Sequence, residues 1–110
     1  DTLLIQGEEL AVEDRFLLNN LLLNCANIAL NLKLADNIQP MLELSHKTMV
    51  LIQDFQKMPI YNMYRWKYAL LQGNQTEAVD YYNQAVMFSK MLNDNHLIQQ
   101  LDDEWQKDNN

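Results

Sequence analysis

The stretch GNQTEAVDYYNQA, residues 73–85, decides the fold of this chain. Gly73 is a residue type that ends helices, and Asn74 with Glu77 three residues later has the pattern of a capping box that begins the next helix. Two alanines and a tyrosine follow at helical spacing, and small residues on one helix face let a second helix approach closely. The stretch predicts a helix that begins near residue 75 and packs tightly against a neighbour.

The same residues resemble the second helix of a tetratricopeptide repeat (TPR), with the pattern G-x4-A-x3-[FY]-x2-A. In the register of this resemblance, NCANIA (residues 24–29) matches the core of a first helix. Moving back 40 residues, from 78 to 38, gives a looser copy of the second helix at Ile38, Leu42 and Ser45. The resemblance implies an all-α fold of TPR-like right-handed helical repeats, with two helical hairpins and a C-terminal capping helix.

Five helices are predicted from apolar residues that recur every three or four positions and from the breaks between them. They cover residues 8–33, 37–57, 59–72, 75–92 and 96–107. Asp36 or Asn37 can cap the second helix, where Pro40 is tolerated in the first turn. Pro59 ends that helix and begins the third. We expect one domain over residues 1–110, with repeat units at about 9–57 and 59–93 and a capping helix at about 94–107.

The composition is that of an ordinary globular domain, with 48% hydrophobic and 21% charged residues. The formal net charge of −7 opposes direct binding to the phosphates of DNA or RNA. No apolar run reaches the ~20 residues that span a bilayer, so no membrane contact is expected. A single cysteine makes no internal disulfide, which fits a cytoplasmic location. The opening residues, which begin at Asp1 and carry no cap, suggest a fragment of a longer protein.

Side-chain amides form a line along one face of the first helix. The line consists of Asn20, Asn24, Asn27 and Asn31, spaced 4, 3 and 4 residues apart. The repeat register implies that this face lines a concave groove, to which the next unit adds Met63, Tyr64, Lys67 and Leu71. An amide offers two donors and an acceptor, so it can bind the backbone of a peptide of any sequence, and Lys67 can pair with a ligand carboxylate. The alternative for each asparagine is a solvated face or a bond to the neighbouring helix.

The remaining reactive side chains do not form a catalytic or metal pattern. The two histidines lack metal-ligand spacing, and Cys25 lies among apolar residues, which predicts a buried, inert thiol. Trp66 stands where the repeat has a small residue, so we expect it in the core, with Arg65 and Lys67 exposed. There is no phosphate-binding loop and no pair of acidic residues in a catalytic spacing. We therefore expect neither an enzyme nor a cofactor.

Three stretches together resemble the C-terminal domain of bacterial transcription regulators of the Rgg/GadR/MutR type. They are NCANIALNL (24–32), QDFQKMPIYNMYRWKYALL (53–71) and AVMFSKMLNDNHLIQQLDDEWQKD (85–108). The resemblance implies a homodimer that senses a short hydrophobic peptide on its concave face, as in quorum sensing. It also implies that DNA is bound only through an N-terminal helix-turn-helix domain, absent from this sequence.

Two other functions fit the same helices. If the chain is a ligand-free dimerisation module, we expect a dimer whose stability does not change when peptide is added. A scaffold repeat that binds protein tails predicts a monomer whose binding weakens with salt.

Overall fold

The computed structural model describes the backbone of residues 12–109 and the side chains of residues 14–109. Five α-helices and a short 3-10 helix make up this part of the chain, with no strand among the described residues. The α-helices are α1 (Val12–Asn31), α2 (Ala35–Ile52), α3 (Met58–Leu71), α4 (Gln75–Met91) and α5 (Asn95–Asp108), and the 3-10 helix is Phe55–Lys57. The all-α, TPR-like fold is confirmed. The predicted start of the first helix at residue 8 lies outside the described residues.

The chain divides between Phe55 and Gln56 into two compact units. Unit one contains α1 packed against α2, and unit two contains α3 packed against α4, with α5 packed against α4. In each unit the packed helices are neighbours in the sequence.

The helices are separated by turns whose positive-φ residues recur every 20 positions. These residues are Lys33 (φ 58°), Gln53 (φ 57°), Gly73 (φ 76°) and Asn93 (φ 57°). A left-handed residue just after a helix lets the chain fold back onto the last carbonyl groups; the N–H of Asn74, for example, donates to the carbonyl of Ala69 at 2.8 Å. Only one of the four positions is glycine, the residue that adopts this conformation without strain.

The bounds of α2 differ from the prediction at both ends. The left-handed turn at Lys33 starts the helix at Ala35, with Leu34 as the N-cap residue and no side-chain cap bond, so capping by Asp36 or Asn37 was wrong. Pro40 consequently lies inside the helix rather than in its first turn. Gln53, in the left-handed conformation, ends the helix at Ile52, five residues before the predicted residue 57.

Side-chain caps begin the last two α-helices. Asn74 Oδ1 accepts a hydrogen bond from the backbone N–H of Glu77 at 3.1 Å, and its amide donates to the Glu77 carboxylate at 3.0 Å. Asp94 Oδ1 accepts from the N–H of Leu97 at 3.0 Å. The predicted cap at Asn74 is confirmed, because these bonds satisfy helix N–H groups that lack an intrahelical partner.

Each unit has its own core. In unit one the small residues Ala26 and Ala29 of α1 are buried beside Leu23, and α2 contributes fully buried Ile38, Leu42 and Met49. In unit two a buried cluster is formed by Trp66, Ala69, Ala78, Ala85 and Leu101. The three alanines make room for the large indole ring between helices.

Trp66 is fully buried, as predicted. Its ring meets the rings of Tyr82 and Trp105 edge-on, with centroids 5.5 Å away in both cases. Tyr82 and Trp105 stack on each other with centroids 4.6 Å apart. These are the favoured arrangements of aromatic pairs, and they connect all three helices of unit two.

Candidate functional site

Four of the five asparagines of α1 form one row along the helix. Asn20, Asn24 and Asn31 are exposed and Asn27 is partly buried. None of the four amides makes a hydrogen bond to another group within residues 14–109. Phe16, Leu23 and Leu30, each three or four residues from an asparagine, border the row on the side nearer the core. The row is thus a line of amides that have no hydrogen-bond partner within residues 14–109, beside partly or fully buried apolar side chains.

A stripe of exposed apolar residues runs beside the asparagine row. It consists of Leu17 (66% exposed), Leu21 (57%), Cys25, Ile28 (58%) and Leu32 (63%). The stripe is exposed although α1 packs against α2. The cause is that α2 covers the opposite face, where the small residues Ala26 and Ala29 permit close packing. We call these five residues the apolar stripe.

The thiol of Cys25 is free and exposed, so the prediction of a buried thiol is wrong. It lies at the edge of an open concavity of about 460 Å³ between α1 and the start of α2. Ile28, Leu34, Pro40 and Met41 supply most of its apolar lining. The concavity continues from the apolar stripe, because Cys25 and Ile28 belong to both.

A buried polar pair joins α1 to α2 under the asparagine row. Ser45 Oγ donates a hydrogen bond of 2.6 Å to Asn19 Oδ1, and both side chains are fully buried. The amide nitrogen of Asn19 has no partner among the described residues. Sequence reasoning missed this residue because it lies outside the regular spacing of the four other asparagines. Its position beside buried residues of α2 follows only from the packing.

Lys67 lies in an ion-pair cluster in unit two. Its ammonium is 2.6 Å from Glu104 Oε1 and 2.8 Å from Asp108 Oδ2, and its side chain is only 19% exposed. The indole N–H of Trp66 donates to the same Asp108 oxygen at 2.9 Å. The prediction of an exposed Lys67 is wrong, because α5 brings two carboxylates to it. Arg65 is also partly buried; its Nε donates to the Tyr61 hydroxyl at 2.8 Å.

Burial lowers the pKa of Lys67, but the hydrogen bonds and negative charges of Asp108 and Glu104 outweigh it and raise the pKa above its usual value. A ligand carboxylate that pairs with Lys67 therefore has to compete with two groups already in place.

The other predicted groove residues of unit two are partly or fully covered. Tyr64 is buried, and burial raises the pKa of its hydroxyl, while the charge of Lys67 acts in the opposite direction. Met63 is partly buried against the Trp66 cluster, and Leu71 is partly buried as well. Of the eight predicted groove residues, the exposed ones lie on α1.

Membrane-spanning helices and metal sites are both absent from the described part of the chain. None of its helices has the length and apolarity that crossing a membrane requires. Among the same residues, no three His, Cys, Asp or Glu side chains are arranged so that they could hold a metal ion.

Two packed helical hairpin units with small residues at the helix contacts define a TPR-like helical-repeat domain. Residues 1–105 match the family model described as ComR tetratricopeptide. The chain belongs to this family, a TPR-like domain of Rgg-family regulators such as ComR, which confirms the resemblance drawn from the sequence. Comparisons with curated proteins and with solved structures give no match.

Proposed function

We propose that this chain is the peptide-sensing and dimer-forming domain of a bacterial transcription regulator. In this proposal a short hydrophobic peptide binds the domain and favours one arrangement of the homodimer, which passes the signal to a DNA-binding domain elsewhere in the regulator. Membership in a family of regulator domains supports a regulatory role rather than catalysis.

The observation that supports the proposal is the row of amides on α1, none of which has a hydrogen-bond partner in the described part of the chain. An extended peptide presents N–H and C=O groups along its length, and each amide side chain can donate to one and accept from another. Asn24 and Asn27 lie at the middle of the row and are one turn apart, so they can hold one peptide segment together. The border of Phe16, Leu23 and Leu30 offers an apolar surface to its side chains.

The residues of unit two have a smaller part in this proposal. Met63, Tyr64 and Leu71 contribute mainly to packing there, and Lys67 is paired with Glu104 and Asp108. We therefore propose the asparagine row as the first binding surface to test.

The test is a calorimetric titration of the chain with a pool of short hydrophobic peptides. We expect saturable heat from the wild type and little heat from the Asn24→Ala/Asn27→Ala variant, because each unpaired peptide group costs roughly 1–3 kcal/mol. The control variant Asn83→Ala/Gln84→Ala removes two exposed amides from α4 and should bind like the wild type.

Equal heat from both variants would show that the peptide does not bind at the asparagine row of α1. No heat from the wild type, together with a dimer in solution, would favour the ligand-free dimerisation module. No heat and no dimer would leave the scaffold repeat as the remaining alternative.

A further inference from the structure

The apolar stripe follows α1 and ends one residue beyond it, at Leu32. Leu17 and Leu32 mark its ends, 15 residues apart, which corresponds to about 22 Å along a helix at 1.5 Å per residue. Its four aliphatic side chains are all more than half exposed. Contiguous exposed apolar surface of this kind marks a contact with another macromolecule more often than a free surface.

The charge pattern of α1 favours a second copy of this chain as the partner that covers the stripe. Residues 16–32 contain no charged side chain, in a chain of net charge −7. Two copies of an acidic protein repel each other, and this repulsion opposes their association least where the contact itself carries no charge. The asparagines beside the stripe keep α1 polar without adding charge. A basic partner would instead be expected to bind where acidic groups lie.

We propose that the apolar stripe is the contact between two copies of this chain, with the two α1 helices packed antiparallel across a twofold axis near Cys25. The inference rests on the homodimer of the proposed function and names its surface. The stripe is nearly symmetric about Cys25: Leu21 is four residues before it and Ile28 three after, while Leu17 is eight before and Leu32 seven after. This spacing suits a twofold contact, in which residue i of one copy meets residue j of the other and residue j meets residue i.

The concavity beside Cys25 favours the antiparallel orientation. It lies at the Ile28 end of the stripe only. In an antiparallel pair, Leu21 of one copy faces Ile28 of the other, so this leucine can enter the concavity. A parallel pair would place the two concavities side by side and leave both open. Antiparallel helices also bring opposite ends of the helix dipoles together.

The first experiment uses the single cysteine of the chain. A short bismaleimide is added to the native protein, and covalent dimers are counted on a denaturing gel. We expect efficient cross-linking, because the twofold axis brings the two Cys25 thiols together, and a large loss of cross-linking when the protein is unfolded first. A native protein whose thiol is labelled by a monomaleimide but not cross-linked at dimer-forming concentrations would overturn the proposal.

The second experiment tests the pairing of Leu21 with Ile28. A contact of one helix face per copy is smaller than the roughly 800 Å² per partner of a standard interface. The dimer is therefore measured by sedimentation from about 1 µM to about 1 mM. The Leu21→Glu/Ile28→Glu variant should raise the dissociation constant at least about 100-fold, because it brings carboxylates together in an apolar contact.

The rescue and control variants make this result specific. Leu21→Glu/Ile28→Lys should dimerise better than the double glutamate variant, because the new carboxylate at position 21 of each copy then faces the new ammonium at position 28 of the other. In a parallel pair the two carboxylates at position 21 would face each other, and there would be no rescue. Met87→Glu/Met91→Glu changes two exposed apolar residues of α4 and should leave the dimer unchanged. Circular dichroism of each variant confirms that the exposed substitutions leave the helices folded.

The outcomes separate this inference from the proposed function. If the glutamates introduced at positions 21 and 28 left the dissociation constant of the dimer unchanged, the stripe would be excluded as the contact, while the homodimer itself would stand. A wild-type monomer over the whole concentration range would overturn both the stripe contact and the homodimer, and would mean that something other than a second copy covers the stripe. The peptide titration is independent of either result.

Discussion

The indole nitrogen of Trp66 and the Nζ of Lys67, adjacent in the sequence, both bind the carboxylate of Asp108 on the last turn of α5. The distances to Oδ2 are 2.9 Å and 2.8 Å. Leu101, about two helical turns earlier on α5, is buried in the same cluster as Trp66. The last helix is thus held by an apolar contact in its middle and by charge-assisted hydrogen bonds at its end.

Removing the charge of Lys67 should weaken unit two. Lys67→Met leaves Glu104 and Asp108 partly buried without their cation, so we expect a loss of roughly 1–3 kcal/mol in the free energy of unfolding. Urea denaturation followed by tryptophan fluorescence measures it, because both tryptophans of the chain lie in this unit. Lys90→Met, at an exposed position, should change the value by at most about 0.5 kcal/mol. Equal values for both variants would show that the ion pairs of Lys67 contribute nothing to the stability of this unit.

Alkaline pH should destabilise the same unit. The pKa of Lys67 is raised, as are those of Tyr64 and Tyr82, the two tyrosines chiefly because of burial. A group whose pKa is higher in the folded state than in the unfolded state stabilises the fold fully at a pH below its unfolded-state pKa, which is about 10 for these groups. That stabilisation is lost as the pH rises through the folded-state pKa. The urea midpoint should therefore fall above about pH 10. The fall should be smaller in Lys67→Met, and an identical fall would exclude Lys67 as a contributor.

The effects of substitutions at Ser45 and Asn19 on the free energy of unfolding should be strongly coupled, because the two side chains share a buried hydrogen bond. Ser45→Ala leaves the buried Asn19 amide without a partner among the described residues, since its nitrogen already lacks one there, and should cost roughly 1–3 kcal/mol. Asn19→Leu/Ser45→Ala replaces both polar groups by apolar ones and should recover most of that loss. A double-mutant cycle by urea denaturation measures the coupling. Simple additivity of the two single changes would contradict it.

Replacing a buried alanine of α4 by a larger residue should destabilise unit two. Ala85 is fully buried in the Trp66 cluster, so Ala85→Leu should cost about 1–3 kcal/mol because the core has no space for three more carbons. Gln84→Leu, one position earlier on the exposed side of α4, is the control and should be nearly neutral. Thermal unfolding compares them. If Ala85→Leu proved as stable as the control, the close approach of the helices at this point would be wrong.

Local chemistry in the sequence was sufficient to predict most of the fold. Gly73 is a residue type typical of turns and Asn74 one typical of caps, and the start of α4 at Gln75 follows from them. The bounds of α2 were missed because Lys33 and Gln53 adopt the left-handed conformation usually signalled by glycine. Their side chains give no such signal, so only the backbone reveals these turns.

Less of the candidate site than of the fold could be predicted from the sequence. Apolar residues occur almost all around α1, so the spacing of its leucines does not decide which face is buried; the small residues Ala26 and Ala29 decide it by allowing α2 to approach. The partners of Lys67 lie 37 and 41 residues away on α5. A pairing at such a separation depends on the packing of three helices, which no local pattern specifies.

The regular recurrence of left-handed turns at residues 33, 53, 73 and 93 has a consequence for how such a chain can evolve. A duplication or deletion of 40 residues, two turns and two helices, returns the backbone to the same conformation and keeps the inward side of every downstream helix unchanged. A change of one residue in the middle of a helix instead rotates all that follows in that helix by about 100°. Chain length can therefore grow by gene duplication in whole hairpins, while insertions of other lengths are confined to the turns.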